Sequence, residues 1–483
     1  MSNLQRFFRN FISLGFVNIV SRLLMGLALI HLMQVLGPGT FGILSYAQAT
    51  TVYVIIISVM GIDRAGIRDL ASGKIDAGRV FSGVIIVKFF QAIVAYGLLL
   101  IFLCLSRNSF NSKYLAIFLG FMGFAQILLL EWYFQSAEKM HLVALYRLIV
   151  AVLHAGGIYL FIKESSQIFL FPGIQLIATA TGIIFLAIIL DKPIRQLKVV
   201  IDWEFMKRLF RESLVIGMSF VMLLLLYNFD IIILGLYHSE EVVGYYGVAY
   251  KLFTFITLPL TVFFEALFPV LVKMFNKSIE QLKTVVGYID KLAPAVVYPL
   301  IISCYFAAPF VIGFFLGERY MPAVLPFRIL LISALVSFLN YINSNGLIAV
   351  NREKMYFWSL FLAGVSNVIL NFIFVPVHGA LGAVATTATA EILGAGFAYI
   401  SFRKSIGNQS MFPWHKKPLT ASVLMIICIL ALPAGVNIII RIILGFVLYA
   451  MALGLMKYIT GQDIRMLVKV HPWLDSIASR HIR

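Results

Sequence analysis

Charge is what this sequence has least of. Asp, Glu, Lys and Arg make up 12% of its 483 residues. That is about half the ~25% typical of a soluble domain, so an aqueous surface cannot cover most of the chain. Hydrophobic residues supply 61% and the mean hydropathy is +0.97. A soluble globular protein is excluded. Cysteine is nearly absent as well. Cys104, Cys304 and Cys428 each lie inside an apolar run, which excludes a disulfide framework and a cysteine-based metal site. No phosphate-binding loop of the Walker type occurs, so the energy for any work is expected from an ion gradient or from consumption of a product. No cofactor is expected. A cleavable leader is not expected either, because the first apolar segment is too long, contains Arg22 and lacks a small-residue cleavage site.

What the chain has instead is apolar runs of about 20 residues, each enough to cross a ~30 Å hydrocarbon core as a helix. They fall near 12–35, 41–62, 80–105, 114–136, 142–162 and 168–190. A second set lies near 213–237, 242–272, 292–315, 323–350, 355–377 and 380–402, with a final pair near 420–437 and 441–459. The expectation is an all-α integral membrane protein of about fourteen transmembrane helices.

The net charge of +17 is no nucleic-acid footprint, because the basic residues alternate between loops. One side holds Arg6 and Arg9, then Arg64 to Arg79, Lys139, the stretch from Lys192 to Arg211, and Lys273 to Lys291. Arg352 with Lys354, Arg403 to Lys417, and the tail from Lys457 fall on the same side. The positive-inside rule then places both termini in the cytoplasm and requires an even number of spans. The opposite loops, Gly37 to Thr40, Tyr237 to Glu241 and His378 to Gly379, are short. They leave little room for the solvent-facing catalytic loop of a glycosyltransferase or polymerase, so the chain is not expected to be an enzyme.

Two landmarks recur in order. Glu138-Lys139-Met140 returns as Glu353-Lys354-Met355, about 215 positions later. Phe41-Gly42-Ile43-Leu44-Ser45-Tyr46-Ala47 returns as Val243-Gly244-Tyr245-Tyr246-Gly247-Val248-Ala249, about 202 positions on. Both copies of the second landmark have the form Gly-x-x-(Ser/Gly)-x-Ala. Six spans separate equivalent points, so the halves share one orientation and a parallel pseudo-two-fold is expected. The division is 1–190 as an N-lobe of spans 1–6, 213–402 as a C-lobe of spans 7–12, and 403–483 as the last helix pair with a cytoplasmic tail. Between the lobes, 191–212 reads either as a plain linker or as an interfacial amphipathic helix. In the second reading Ile201, Trp203, Phe205, Met206, Leu209 and Phe210 oppose Lys207, Arg208 and Arg211, behind an Asp202 N-cap. Prolines such as Pro259, Pro269, Pro294, Pro299, Pro309 and Pro326 fall in or near second-half spans; they read as hinges or as ordinary membrane-helix prolines.

Several passages resemble a known family. Glu131-Trp132-Tyr133-Phe134-Gln135-Ser136-Ala137 runs into the first Glu-Lys-Met, and Asp230-Ile231-Ile232-Ile233-Leu234-Gly235 leads to the second Gly motif. Asn371 precedes Gly379-Ala380-Leu381-Gly382-Ala383. In this order they are similar to the polysaccharide transporter family, the Wzx-type flippases of O-antigen and other lipid-linked oligosaccharides. That family shares the multidrug/oligosaccharidyl-lipid/polysaccharide exporter superfamily with lipid II flippases and multidrug extruders. Ser21-Arg22-Leu23-Leu24 also resembles the start of a lipid II flippase, but Ala28 stands where that family usually has a second arginine.

The resemblance implies a flippase that moves polyprenyl-pyrophosphate-linked oligosaccharide across the bacterial inner membrane by alternating access. It implies a monomer, with membrane lipids and a proton or sodium counter-ion as further partners. The alternatives are an ion-coupled small-molecule exporter and a lipid II flippase. A pyrophosphate needs cations along a polar path, and ionisable residues inside spans are the candidates. Arg22, Lys88, Arg147, Lys251 and Arg328 are the candidate phosphate or cavity residues, with Asp230 and Glu391 the candidates for ion coupling. Each has a plainer reading. Arg22 fits a structural ion pair, Lys88, Arg147 and Arg328 fit snorkelling to the interface, and Asp230 fits a salt bridge to Lys251. Glu391 fits a neutral, hydrogen-bonded acid, while Glu131 and Glu265 sit near cytoplasmic helix ends.

Overall fold

The computed structural model describes residues 3–190, 199–407, 410–433, 435–458 and 460. Most of the predicted tail and 191–198 of the predicted linker lie outside the described residues, and so do the side chains of Arg6, Arg9, Pro259, Glu265 and Pro269. Everything regular among the described residues is helical. The helices are α1 (Asn3–Val59), α2 (Ile62–Ala71), α3 (Ala77–Leu105), α4 (Phe110–Gly120), α5 (Met122–Leu128), α6 (Glu131–Ser136), α7 (Met140–Phe161) and α8 (Phe171–Ile188). They continue as α9 (Trp203–Tyr237), α10 (Glu240–Lys277), α11 (Ile279–Leu316), α12 (Val324–Ala349), α13 (Glu353–Ile406), α14 (Lys416–Ala431) and α15 (Ile438–Leu455).

Eleven stretches of described helix are long and apolar enough to cross a membrane. Two of them run over two predicted spans each. In α1 the break comes at Gly37, whose φ of 72° and ψ of 171° only glycine adopts without strain. Pro38 follows, has no N–H to give the helix, and pushes its predecessor out of the α region. In α13 the corresponding break is Gly379, at φ 55° and ψ −133°. Elsewhere side chains mark the helix starts. The Asp76, Ser109, Asp202 and Asn437 side chains accept from nearby backbone N–H groups and satisfy donors that a helix cannot pair itself.

The chain divides into two compact units. The first comprises Met1–Val248, Phe315–Tyr320 and Asn367–Ala383. Its core gathers Ile62, Val80, Val84, Trp132, Phe134, Leu186, Phe205 and Leu209. Phe205 and Leu209 come from the first turns of α9, so this part of the predicted linker is a helix docked by its apolar face. Charge ties it down as well. Arg79 pairs with Asp202, Arg208 with the buried Asp69 at 2.8 Å, and Arg68 with both Asp69 and Glu212. The Arg79 and Arg208 guanidiniums also lie 5.3 and 4.9 Å from the Phe205 ring.

The second unit comprises Ala249–Phe314, Met321–Ser366 and Val384–Arg483. One cluster joins Leu271, Leu282, Val286, Ile342, Leu347, Phe402 and Ile406; another joins Ala295 to Met425, Ile429, Tyr449 and Leu453 of the last two helices. Pro294, Pro299 and Pro309 all lie within α11. The Tyr458 hydroxyl oxygen lies 2.7 and 2.6 Å from the carbonyls of Lys291 and Trp414, and its single proton is shared between them.

Candidate translocation site

Four of the seven candidate residues lie in the first unit. Arg22 is exposed on α1, with Leu23 and Leu27 exposed beside it. Lys88 is the opposite case, 1% exposed, with its ammonium 2.5 Å from Asp63 Oδ1 and donating to the Gln126 carbonyl at 3.2 Å. A buried ammonium needs such partners, since removing it from water without them costs several kcal/mol. Arg147 donates to Glu131 at 2.7 Å, joining the start of α7 to α6.

Asp230 is fully buried in α9. One carboxylate oxygen accepts from the Tyr246 hydroxyl at 2.5 Å and the other from Asn371 Nδ2 at 2.6 Å. Asn371 Nδ2 also lies 2.9 Å from both the carbonyl and Oδ1 of Asn367, one turn earlier in α13. Three helices thus deliver a compact set of oxygens and amides with no aqueous exposure. Such a set satisfies the buried carboxylate, and a proton or small cation bound there would have to leave its water behind.

The other three candidates lie in the second unit. Lys251 is half-buried in α10. Arg328 donates to the Tyr305 carbonyl at 3.0 Å while its guanidinium lies 4.6 Å from the Tyr305 ring. Glu391 is 5% exposed on the part of α13 beyond Gly379.

Sequence reasoning missed the strongest polar group of this unit. Arg403 is 3% exposed and forks onto Asp290, with both oxygens at 2.7 Å, while its Nε donates to Asn343 Oδ1 at 2.8 Å. The Tyr298 hydroxyl lies 2.7 Å from His415 Nδ1 in the same unit. Arg403 follows the last apolar residues of a span, so hydropathy assigns it to a loop. The signal that could have found it is Asp290 and Asn343, polar residues inside or beside apolar runs.

Residues 7–275, more than half of the chain, match the family described as polysaccharide biosynthesis protein. The chain belongs to that family. Along 396 residues it is 24% identical to an Escherichia coli (strain K12) protein named "Putative O-antigen transporter", covering 80% of this chain and 94% of that one. The fold is that of solved transporters. A lipid II flippase, MurJ, in an inward closed conformation gives a TM-score of 0.77 at 18% identity, over 92% of this chain and 98% of the other. A multidrug resistance MATE family transporter of the MOP superfamily, in an inward-facing conformation, gives 0.67 at 15% identity, over 79% and 94%. This member of the polysaccharide biosynthesis family is therefore a multi-pass membrane protein with a transporter fold.

Proposed function

We propose that this protein flips polyprenyl-pyrophosphate-linked oligosaccharide repeat units from the cytoplasmic to the outer leaflet, for surface polysaccharide assembly. The observation that carries the reading is the similarity along 94% of the length of a protein named for O-antigen transport. The ionisable residues within the helices add a physical reason. Hydrocarbon rejects a pyrophosphate, and a path lined by cations admits it.

In this reading Arg22, Arg147, Lys251 and Arg328 meet the phosphates or line the way to them. Lys88, held by Asp63 and Gln126, acts as a positioning residue that fixes α3 against α2. Glu391 and the Asp230–Asn371 pair take up and release the counter-ion as the path alternates. The chain works as a monomer in the bacterial inner membrane, with both termini in the cytoplasm.

The fold is shared with a multidrug transporter, so a small-molecule exporter is the second reading. Cells lacking the gene separate the two. Lipid-linked repeats accumulating on the cytoplasmic face support the flippase. An unchanged surface glycan with altered drug sensitivity supports the exporter and ends the first reading.

A further inference from the structure

The duplicated glycine motif does more than record a duplication, because the structure packs its two copies against each other. A Cβ placed on Gly42 would overlap the Glu240 carbonyl and lie 2.9 Å from the Gly244 nitrogen; one placed on Gly244 would overlap the Pro38 carbonyl. At an offset of 202, Gly244 is the counterpart of Gly42 and Glu240 is the counterpart of Pro38. The two overlaps are thus equivalent contacts, each turned into the other by exchanging the two copies. A Cβ on Gly247 would lie 2.5 Å from Ser45 Oγ, and Ser45 is itself the counterpart of Gly247. Residue i meeting j while j meets i, with a self-paired position between, is the pattern of an isologous two-fold interface, drawn here within one chain.

At Gly42 and Gly244 the seam is backbone on backbone; beside them the Ser45 and Phe41 side chains lie over Gly247 and the Tyr46 ring lies over Gly235, where the glycines leave room for them. The bonds around the seam run from side chains to carbonyls and between side chains. Asn108 accepts from the Tyr46 hydroxyl at 2.7 Å and donates to the Gly235 carbonyl. Gln34 donates to the Phe315 carbonyl and the Tyr320 hydroxyl to the Met33 carbonyl, both at 2.7 Å. Glu240 takes hydrogen bonds from Ser109 and Ser112. Water can replace each of these when the seam parts. The charge cluster that holds α9 to α2 and α3, with the buried Asp69 between two arginines, is of a different kind.

We propose that the two copies of the motif are the outer gate of the transport path, closed on each other in this state and parting as one unit when the outer side opens. The gate assignment rests on the transporter reading above and on the positive-inside pattern that puts Gly37 to Thr40 and Tyr237 to Glu241 outside. It gives the glycines a reason to be in both copies: at Gly42 and Gly244 the backbones close tightly, and at Gly247 a smooth backbone faces the Ser45 side chain.

The test uses full-length protein in liposomes with Cys104, Cys304 and Cys428 replaced by Ala. Ser45→Cys alone is an isosteric probe at a position 2% exposed. Gly39→Cys with Glu241→Cys is the lock, since a Cβ at Gly39 would lie 3.7 Å from Glu241 Cγ. A membrane-impermeant methanethiosulfonate is expected to modify Ser45→Cys, and oxidising the lock pair in the same protein is expected to abolish that labelling. Oxidation of the lock is also expected to stop flipping of a lipid-linked oligosaccharide, and a reductant to restore it. Undiminished flipping by the oxidised lock overturns the gate and leaves the flippase standing. Labelling that the lock suppresses, in liposomes where no oligosaccharide flips in any variant, supports the gate and overturns the substrate. Absence of labelling in protein that flips, with full labelling after denaturation, overturns the gate.

Discussion

Lys88 and Asp63 form an ion pair of unequal members, the ammonium 1% exposed and the carboxylate 33%. Removing the carboxylate strands the ammonium, and removing the ammonium leaves a carboxylate with water still in reach. Loss of one partner of a buried pair costs about 3–5 kcal/mol, so Asp63→Asn is expected to lower the thermal midpoint in detergent more than Lys88→Met does. The Asp63→Asn/Lys88→Met double variant is expected to recover part of the loss. A neutral Asp63→Asn would return Lys88 to the phosphate ligands. Asp202 offers a pH-dependent check at the same scale. The Phe205 backbone N–H that it caps, and then Arg79, hold its carboxyl below the ordinary carboxylate range. A depressed folded pKa stabilises above the unfolded value and loses that effect as pH falls through the folded one. Wild type is therefore expected to be more stable than Asp202→Asn at neutral pH, and the gap to close below about pH 4. A gap that persists at lower pH contradicts the cap. Neither Lys88 nor Arg403 could be placed from sequence alone. Asp63 and Asp290 reach them from other helices, and no local periodicity reports a partner so far along the chain.

Apolar runs report the middles of helices better than their ends, because caps and kinks depend on single residues. Around Gly37-Pro38 the chain is helical on both sides, and the non-helical backbone at Gly37 divides α1 at the point between the two apolar runs. The two sequence landmarks also part company. At the first, Glu138 takes φ 56° and Lys139 N–H reaches the Phe134 carbonyl at 2.8 Å; at the second, Asn351 takes φ 59° and Arg352 N–H reaches Leu347 at 2.7 Å. Both are the same left-handed helix stop. Yet Glu138 sits in its turn while Glu353 already begins α13, so the Glu-Lys-Met copies are out of step by two residues. The glycine motif keeps its register because backbone touches backbone there and a shift of one residue would bring a side chain into the contact. Gly42→Ala and Gly244→Ala are each expected to raise labelling of the Ser45→Cys probe, about tenfold if each moves the gate by 1.4 kcal/mol. Their contacts adjoin in one seam, where a Cβ on Gly42 would also lie 2.9 Å from the Gly244 nitrogen, so they are expected to add less than independently when combined. Full additivity would show that the two contacts open separately.

At the scale of the whole molecule, scarcity of charge and the hydropathy pattern were enough for the all-helical membrane fold, because lipid permits few other solutions. The sidedness of the basic loops carries a further expectation. A reporter active only in the cytoplasm, fused at either terminus, should be active, and the same reporter inserted at Gly39 should be silent. Activity at Gly39 would invert the topology and turn the proposed outer gate into an inner one. What hydropathy could not supply is the pairing of charges across helices, and with it the division of labour among them. That division is the centre of the functional account, with cations such as Arg22 serving the pyrophosphate and acids such as Glu391 serving the counter-ion. The direct measurement is flipping of a fluorescent polyprenyl-pyrophosphate oligosaccharide in liposomes by wild type, Arg22→Ala and Glu391→Gln. Transfer by wild type that rises with an imposed ion gradient, and its loss in both variants, is the expected result; transfer at the wild-type rate by both variants would overturn the division of labour.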